Sequence, residues 1–239
     1  MKAIVMAGGK GTRLHPYSAH FPKPLMPLGD MPVLELLLRQ FKHAGVEEVF
    51  LAVNHLRHLI EAFFGDGSRM GLKLHYSLED KPLGTAGPIA AVLDRLGDDF
   101  IMANGDLLTT LDIAAMIRFH RTHRADATIG VYQREVKIDF GIVEVDAEMR
   151  MTGYREKPSL SHLLSMGIYV LNAGKVRGLV QPGAHLDMPD LLQLMVKSGG
   201  EVRCFRDDCF WLDIGRPDDF ARAQEIYEKD PGVFLGKLA

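Results

Sequence analysis

The residues best equipped for chemistry begin at Gly8. Gly8, Gly9 and Gly11 follow the apolar run AIVMA, residues 3–7, and Arg13 and Lys23 come close behind. Glycines at such a point let the backbone turn sharply and approach a ligand without a Cβ in the way. The exposed N–H groups of such a turn form a concavity that suits an anion. Arg13 adds a planar, two-pronged donor for phosphate oxygens. Lys23 stands between Pro22 and Pro24, which stiffen the backbone that carries its ammonium. A glycine turn and two such cations within the first 23 residues point to a diphosphate or triphosphate. The two common phosphate templates do not fit. A P-loop needs a glycine where Ile4 stands and a hydroxyl residue where Gly11 follows Lys10. The dinucleotide fingerprint needs a third glycine where Leu14 stands.

Two aspartates repeat one local pattern. Asp106 follows FIMANG, and Asp213 lies in WLDIG, each closing an apolar run and each near a glycine. Carboxylates at strand ends suit a hard cation, and this pair could hold Mg²⁺ against the phosphates brought in by the turn. Farther along, Gly84, Thr85, Ala86 and Gly87 form a small-residue loop that reads as the start of a helix. Its floor would be flat and its N–H groups free, which suits a base or ribose, although a plain N-cap at Thr85 explains it too. Glu156 and Lys157 are adjacent, with Pro158 after them. Strand neighbours face opposite ways, so both meet one ligand only at a bend; a surface ion-pair edge is the equal alternative. Cys204 and Cys209 are the only cysteines and read as reduced, packed thiols, since a zinc site would need two more ligands. The histidines show no metal spacing; His55 and His58 share one face of an expected helix.

These residues need elements to hold them in place. PVLELLLRQFKHAG has helical apolar spacing, with Pro32 at its first turn and Gly45 at its end. EEVFLAV reads as a strand ending near Asn54, HLRHLIEAFFG as a helix, and LKLHYSL as a strand. TAGPIAAVLDRLG is expected to be a helix broken early by Pro88, and DDFIMANGD a strand delivering Asn104, Gly105 and Asp106. LDIAAMIRFHRTH adds another helix. This βαβα rhythm predicts a parallel sheet covered on both faces, with ligands at the carboxyl ends of its strands. The second half is richer in strands: ADATIGVYQ, FGIVEVD, MRMTGYREKP, SMGIYVLNA, EVRCFRD and CFWLDIG. DMPDLLQLMVKSG and DDFARAQEIYEK are its helices. A mixed sheet with an added lobe fits this better than two independent domains.

At 239 residues, the chain can bury a core without disulfide or metal staples. A net charge of −3 with 25% charged residues excludes a basic nucleic-acid stripe and a polybasic membrane anchor. The N-terminal apolar run is too short for a secretory signal, no run approaches the length of a membrane span, and the tail holds no hexapeptide repeat. The expectation is a cytoplasmic protein with no nucleic-acid or membrane partner; a homo-oligomer stays open.

In their order along the chain, these motifs resemble the sugar-1-phosphate nucleotidylyltransferase family, the enzymes that make NDP-sugars. The family signature GGxGTRLxP followed by PKPLxP reads here GGKGTRLHPYS and FPKPLMP. PLGTAG, NGD, FGIV, EKP, GIYVL and WLDIG then follow in the family's order over nearly the whole chain. The resemblance implies an α/β, Rossmann-like, mainly parallel mixed sheet flanked by helices, with a small sugar-binding lobe. It implies one domain, with a nucleotide half over roughly residues 1–125 and a sugar half over 126–239. The loop of Ala7, Gly8, Gly9, Gly11, Thr12 and Arg13 should wrap the nucleotide phosphates, and Lys23 should meet the α-phosphate. Gly84 and Thr85 should lie against the base. Asp106 and Asp213 should hold Mg²⁺, with Arg13, Lys23 and Asp106 the catalytic set. Asn104, Gly141, Glu156, Lys157 and Ser165 should meet the sugar phosphate.

The implied substrates are a nucleoside triphosphate and a sugar 1-phosphate. GTP with a mannose-type, heptose or higher-carbon sugar is the pair expected from the nearest resemblance. One departure bears on the sugar: Ser165-Met166 stands where the family often has Asn-Ala, so the pocket should be more adaptable there. A uridylyl- or thymidylyltransferase on a hexose 1-phosphate is the alternative pair. A cytidylyltransferase of a non-sugar phosphate and an inactive regulatory homologue are the other readings. The presence of Arg13, Lys23, Asp106 and Asp213 argues against the last.

Overall fold

The computed structural model describes residues 1–9, 21–54 and 56–235. Strand β1 (Lys2–Met6) leads into the glycine turn. A short hairpin of β2 (Pro27–Leu28) and β3 (Met31–Pro32) brings the chain to helix α1 (Val33–His43). Then come β4 (Glu48–Val53), α2 (Arg57–Phe64), β5 (Lys73–Leu78), α3 (Ile89–Val92) and β6 (Asp99–Asn104), followed by β7 (Leu107–Thr109) and α4 (Ile113–Thr122). The second half runs β8 (Ala127–Lys137), β9 (Ile142–Val145), β10 (Met151–Arg155), β11 (Ser159–Asn172), α5 (Ala173–Arg177) and α6 (Met188–Lys197). It closes with β12 (Val202–Arg206), β13 (Trp211–Asp213), α7 (Pro217–Lys229) and α8 (Gly232–Leu235).

Seven strands form one sheet in the order β12-β8-β11-β6-β1-β4-β5. β1 pairs in parallel with β4 and β6, β4 with β5, and β12 with β8, while β11 runs antiparallel to both its neighbours. The mixed, mainly parallel sheet expected from the sequence is therefore present. The middles of β1, β4 and β6 are apolar because both faces are covered there. Alternate side chains divide between two cores. Ala3, Val5, Val49, Leu51, Ile101 and Ala103 pack with α1, α2 and α4 on one face. Ile4, Phe50, Phe100 and Met102 pack with α3, α5 and α6 on the other. A third core joins Leu108 of β7 and Leu212 of β13 to Phe220, Ala223 and Tyr227 of α7.

Two elements differ from the sequence reading. The helix expected over TAGPIAAVLDRLG is reduced to α3 and a 3₁₀ turn at Leu93–Arg95, since residues 84–88 form turns. β8 and β11 are longer than their apolar runs. Their outer ends pair from Ser159 opposite Lys137 inward, forming a ribbon that leaves the sheet and carries the β9–β10 hairpin. Polar residues alternate through those ends (REVK and SLSH), so no continuous apolar run marks them as strand. The register of β11 against β8 shifts between Ser165 and Tyr169, where the ribbon joins the sheet. Cys204 is exposed on edge strand β12, contrary to the packed thiol expected.

Candidate active site

The carboxyl ends of β1, β4 and β6 open onto a cleft of about 450 Å³. The backbone of β1 continues one residue beyond its strand, where the Ala7 N–H donates to the Ala52 carbonyl at 2.8 Å. Gly8 then crosses the end of β4: a Cβ there would stand 3.1 Å from the Asn54 nitrogen. Among the described residues, a Cβ on Gly9 would meet nothing within 4 Å, and this glycine lines the cleft. Gly11, Thr12 and Arg13 lie outside the described residues.

Lys23 opens a 3₁₀ turn, Lys23–Leu25, held by the Leu25 N–H to the Pro22 carbonyl at 2.9 Å and the Met26 N–H to the Lys23 carbonyl at 3.0 Å. The prolines and the buried Leu25 anchor the turn, and the side chain crosses to the end of β6. Its ammonium donates to Asp106 Oδ2 and lies 3.7 Å from Asp213 Oδ1. Topology explains why two aspartates so far apart in sequence converge. Gly105 caps β6 by donating to the Met6 carbonyl at 3.0 Å. Antiparallel pairing of β7 with β13 sets Asp213 opposite Leu107, and the Ile214 N–H donates to the Asp106 carbonyl at 3.1 Å. Leu212 points into the core below, which turns the adjacent Asp213 the other way, toward the cleft.

The Lys23 and Asp106 side chains are only 11% and 23% exposed, so the pair is shielded from water. Asp106 Oδ1 is buried without a hydrogen-bond partner among the described residues. A shielded carboxylate oxygen with nothing to accept from is costly unless a cation or donor joins it. Two carboxylates at one rim are the hard oxygen donors that Mg²⁺ takes. Among the described residues no third carboxylate, histidine or cysteine completes a metal cluster, so a cation here would draw its other ligands from phosphate and water.

The PLGTAG loop forms the far wall, and it is not the free helix start expected from the sequence. The Thr85 N–H and hydroxyl both donate to Asp187 Oδ1, at 3.0 and 3.2 Å. The Ala86 and Gly87 N–H groups donate to the Leu186 carbonyl at 2.8 and 3.0 Å. The Thr85 hydroxyl accepts from the Met188 N–H at 2.8 Å. Gly84 has φ +76°, and a Cβ there would sit 2.5 Å from the Leu186 carbonyl oxygen, so only glycine fits. Tethered in this way, the loop presents a fixed surface rather than loose donors.

Asn104 lines the same cleft, opposite Met6 in the β1–β6 register. Gly141, Glu156 and Lys157 are on the ribbon and do not line it. There Tyr154 donates to Glu156 Oε2 at 2.9 Å, and Lys157 has φ +43°, the bend expected before Pro158. Ser165 is exposed and its hydroxyl meets that of Tyr169 at 2.8 Å. Met166 is fully buried in the core, and its carbonyl accepts from Trp211 Nε1 at 3.0 Å. The expectation that Met166 forms an adaptable sugar wall is therefore wrong: β11 turns that side chain inward.

The cleft also contains residues the sequence reading did not single out as site residues. Asn54 directly follows β4, and the rule that ligands sit at carboxyl ends of parallel strands pointed to it. Glu79 follows β5; burial pushes its carboxyl up, although the Leu83 N–H donates to it at 3.3 Å. Asp187 acts behind the wall, and only tertiary contact reveals it.

Residues 2–230 match the Nucleotidyl transferase family. A mannose-1-phosphate guanylyltransferase of Mycobacterium tuberculosis is 36% identical over 92% of this chain and 62% of its own length. A UTP–glucose-1-phosphate uridylyltransferase of Synechocystis is 32% identical over 99% of this chain and 69% of its own. The chain thus spans somewhat less than two thirds of the first of these relatives. The crystal structure of HddC from Yersinia pseudotuberculosis superposes with a TM-score of 0.74 at 24% identity, covering 95% of this chain and 99% of that one. HddC has also been crystallised with GMP-PN.

Proposed function

We propose, from the premise that this chain belongs to the nucleotidyl transferase family, that it moves a nucleoside monophosphate from a triphosphate to a sugar 1-phosphate. The products are an NDP-sugar and pyrophosphate. One observation carries this reading: the Lys23 ammonium, held against Asp106 and near Asp213, stands at the mouth of a cleft walled by a glycine turn and a tethered loop. In the reaction an oxygen of the sugar phosphate attacks the α-phosphorus, and the bond to the bridging oxygen breaks as pyrophosphate leaves. No protein nucleophile is needed, so the residues act by position and charge.

In this reading, Ala7, Gly8 and Gly9 admit the phosphate chain, and Gly11, Thr12 and Arg13 contact it. Lys23 moves from the carboxylates to the α-phosphate as charge builds there. Asp106 and Asp213 would hold Mg²⁺, which when bound neutralises phosphate charge. Gly84 and Thr85 support the base. Asn104 faces the acceptor, while Gly141, Glu156, Lys157 and Ser165 reach it from the ribbon. We favour GTP and a mannose-type or larger sugar because the Mycobacterium relative bears a guanylyltransferase name. The Synechocystis relative supports a second reading, UTP with glucose 1-phosphate. Pyrophosphate release across four triphosphates and several sugar 1-phosphates tests both. Release with no combination would remove the transferase reading; a clear win for UTP and glucose 1-phosphate would reassign the substrates alone. No helix among the described residues is long and apolar enough to cross a membrane, which suits the cytoplasmic setting proposed for this chemistry.

A further inference from the structure

A second cleft, of about 650 Å³, opens between the part of β8 that leaves the sheet and the first turns of α7. Asp213 lines both clefts, so they meet at that carboxylate. Tyr132 and Trp211 line it with ring centroids 5.6 Å apart, and the Trp211 ring is pinned through its bond to the Met166 carbonyl. Arg134 from β8, Arg216 at the N-cap of α7 and Arg222 within α7 converge on it. None of these three guanidiniums makes a hydrogen bond or ion pair among the described residues. Three carboxylates also face the cleft, but each has other business. Asp213 is held near Lys23, Glu135 accepts from the Ser159 hydroxyl at 3.3 Å, and Asp219 stands in the first turn of α7, where it offsets the helix dipole.

Aromatic faces offer a sugar ring apolar surface, and guanidiniums pair in two-pronged fashion with carboxylate or phosphate. We propose that this second cleft takes the sugar part of the acceptor, and that Arg134, Arg216 and Arg222 select sugar 1-phosphates bearing a second anionic group, a carboxylate or a phosphate. The proposal rests on the transferase reading of the first cleft. It extends that reading by naming what the acceptor carries away from its reacting phosphate.

The test compares kcat/KM, with GTP and with UTP, for mannose 1-phosphate, glucose 1-phosphate, a heptose 1-phosphate, glucuronic acid 1-phosphate and glucose 1,6-bisphosphate. An anionic acceptor should lead the neutral ones by about tenfold or more, as charged hydrogen bonds allow. A lead for the bisphosphate identifies phosphate, and a lead for the glucuronate identifies carboxylate. Arg134→Gln, Arg216→Gln and Arg222→Gln should each cost the anionic acceptor several times more than mannose 1-phosphate, and the triple variant should bring the two to parity. Equal or better use of the neutral sugars by the wild type overturns the proposal, as does a loss that is uniform across acceptors. Should no acceptor turn over, the transferase reading falls, and calorimetry with glucose 1,6-bisphosphate decides the cleft alone. Binding abolished in the triple variant upholds the cleft; binding absent, or unchanged in the variant, sinks it.

Discussion

The ammonium of Lys23 lies against Asp106 and near Asp213, yet the proposed reaction needs it on phosphate. Lys23→Ala should therefore lower kcat by about 100-fold or more, with KM for the triphosphate moving less. A change confined to KM would make Lys23 a docking residue. Asp106→Asn keeps the size of the side chain and an oxygen for Lys23, so the fold should hold while turnover falls by a similar factor. Circular dichroism and steady-state rates check the two halves of that statement. Glu79 offers a pH test. Burial raises its folded-state pKa above the unfolded value, so the native protein binds the extra proton between the two. The associated stability is present below the ordinary glutamate range and is lost as pH rises through the raised value. Glu79→Gln should match the wild type near pH 4 and exceed it at neutral pH, measured by denaturant midpoint. Equal midpoints at both pH values would mean that the carboxyl titrates normally.

At the scale of elements, the tether between the PLGTAG loop and the start of α6 determines what the far wall can do. Asp187→Ala removes the acceptor for the Thr85 N–H and hydroxyl, a loss of about 2 kcal/mol if both bonds go. The triphosphate KM should rise several-fold and discrimination among bases should weaken, while KM for the sugar phosphate holds. Parallel loss of both KM values would point to general unfolding of the wall. Asp187 also shows where sequence reading stopped. The alternating strands, the glycine turn, Lys23 and the aspartates could be read locally, since apolar runs and strand ends mark them. That Asp106 and Asp213 share one rim depends on the β7–β13 pairing, which two three-residue strands do not announce. The outer ends of β8 and β11 escaped notice because strands lying outside the sheet need no continuous apolar face. Met166 was misread because a register shift decides which way its side chain turns.

For the molecule as a whole, the proposed chemistry depends on a cation that the two aspartates would hold only together with phosphate. Excess chelator should abolish pyrophosphate release, and Mg²⁺ should restore it; full activity in chelator would remove the metal from the reading. Strand β11 links the parts of this machine. Its inner half pairs with β6, which ends at Asn104, and its outer half is the long strand of the ribbon. Between them lies Gly167, at φ +75°, where an added Cβ would stand 2.7 Å from the Asn104 amide nitrogen. β11 thus resembles a lever with its fulcrum at Gly167, and in the proposed reading a sugar gripped at the ribbon would pull on the wall that faces the nucleotide. Gly167→Ala would jam that fulcrum: about 1–3 kcal/mol of backbone strain should appear in stability. Half-saturation by one substrate should then cease to depend on the concentration of the other, whereas in the unmodified protein the two should bind in concert.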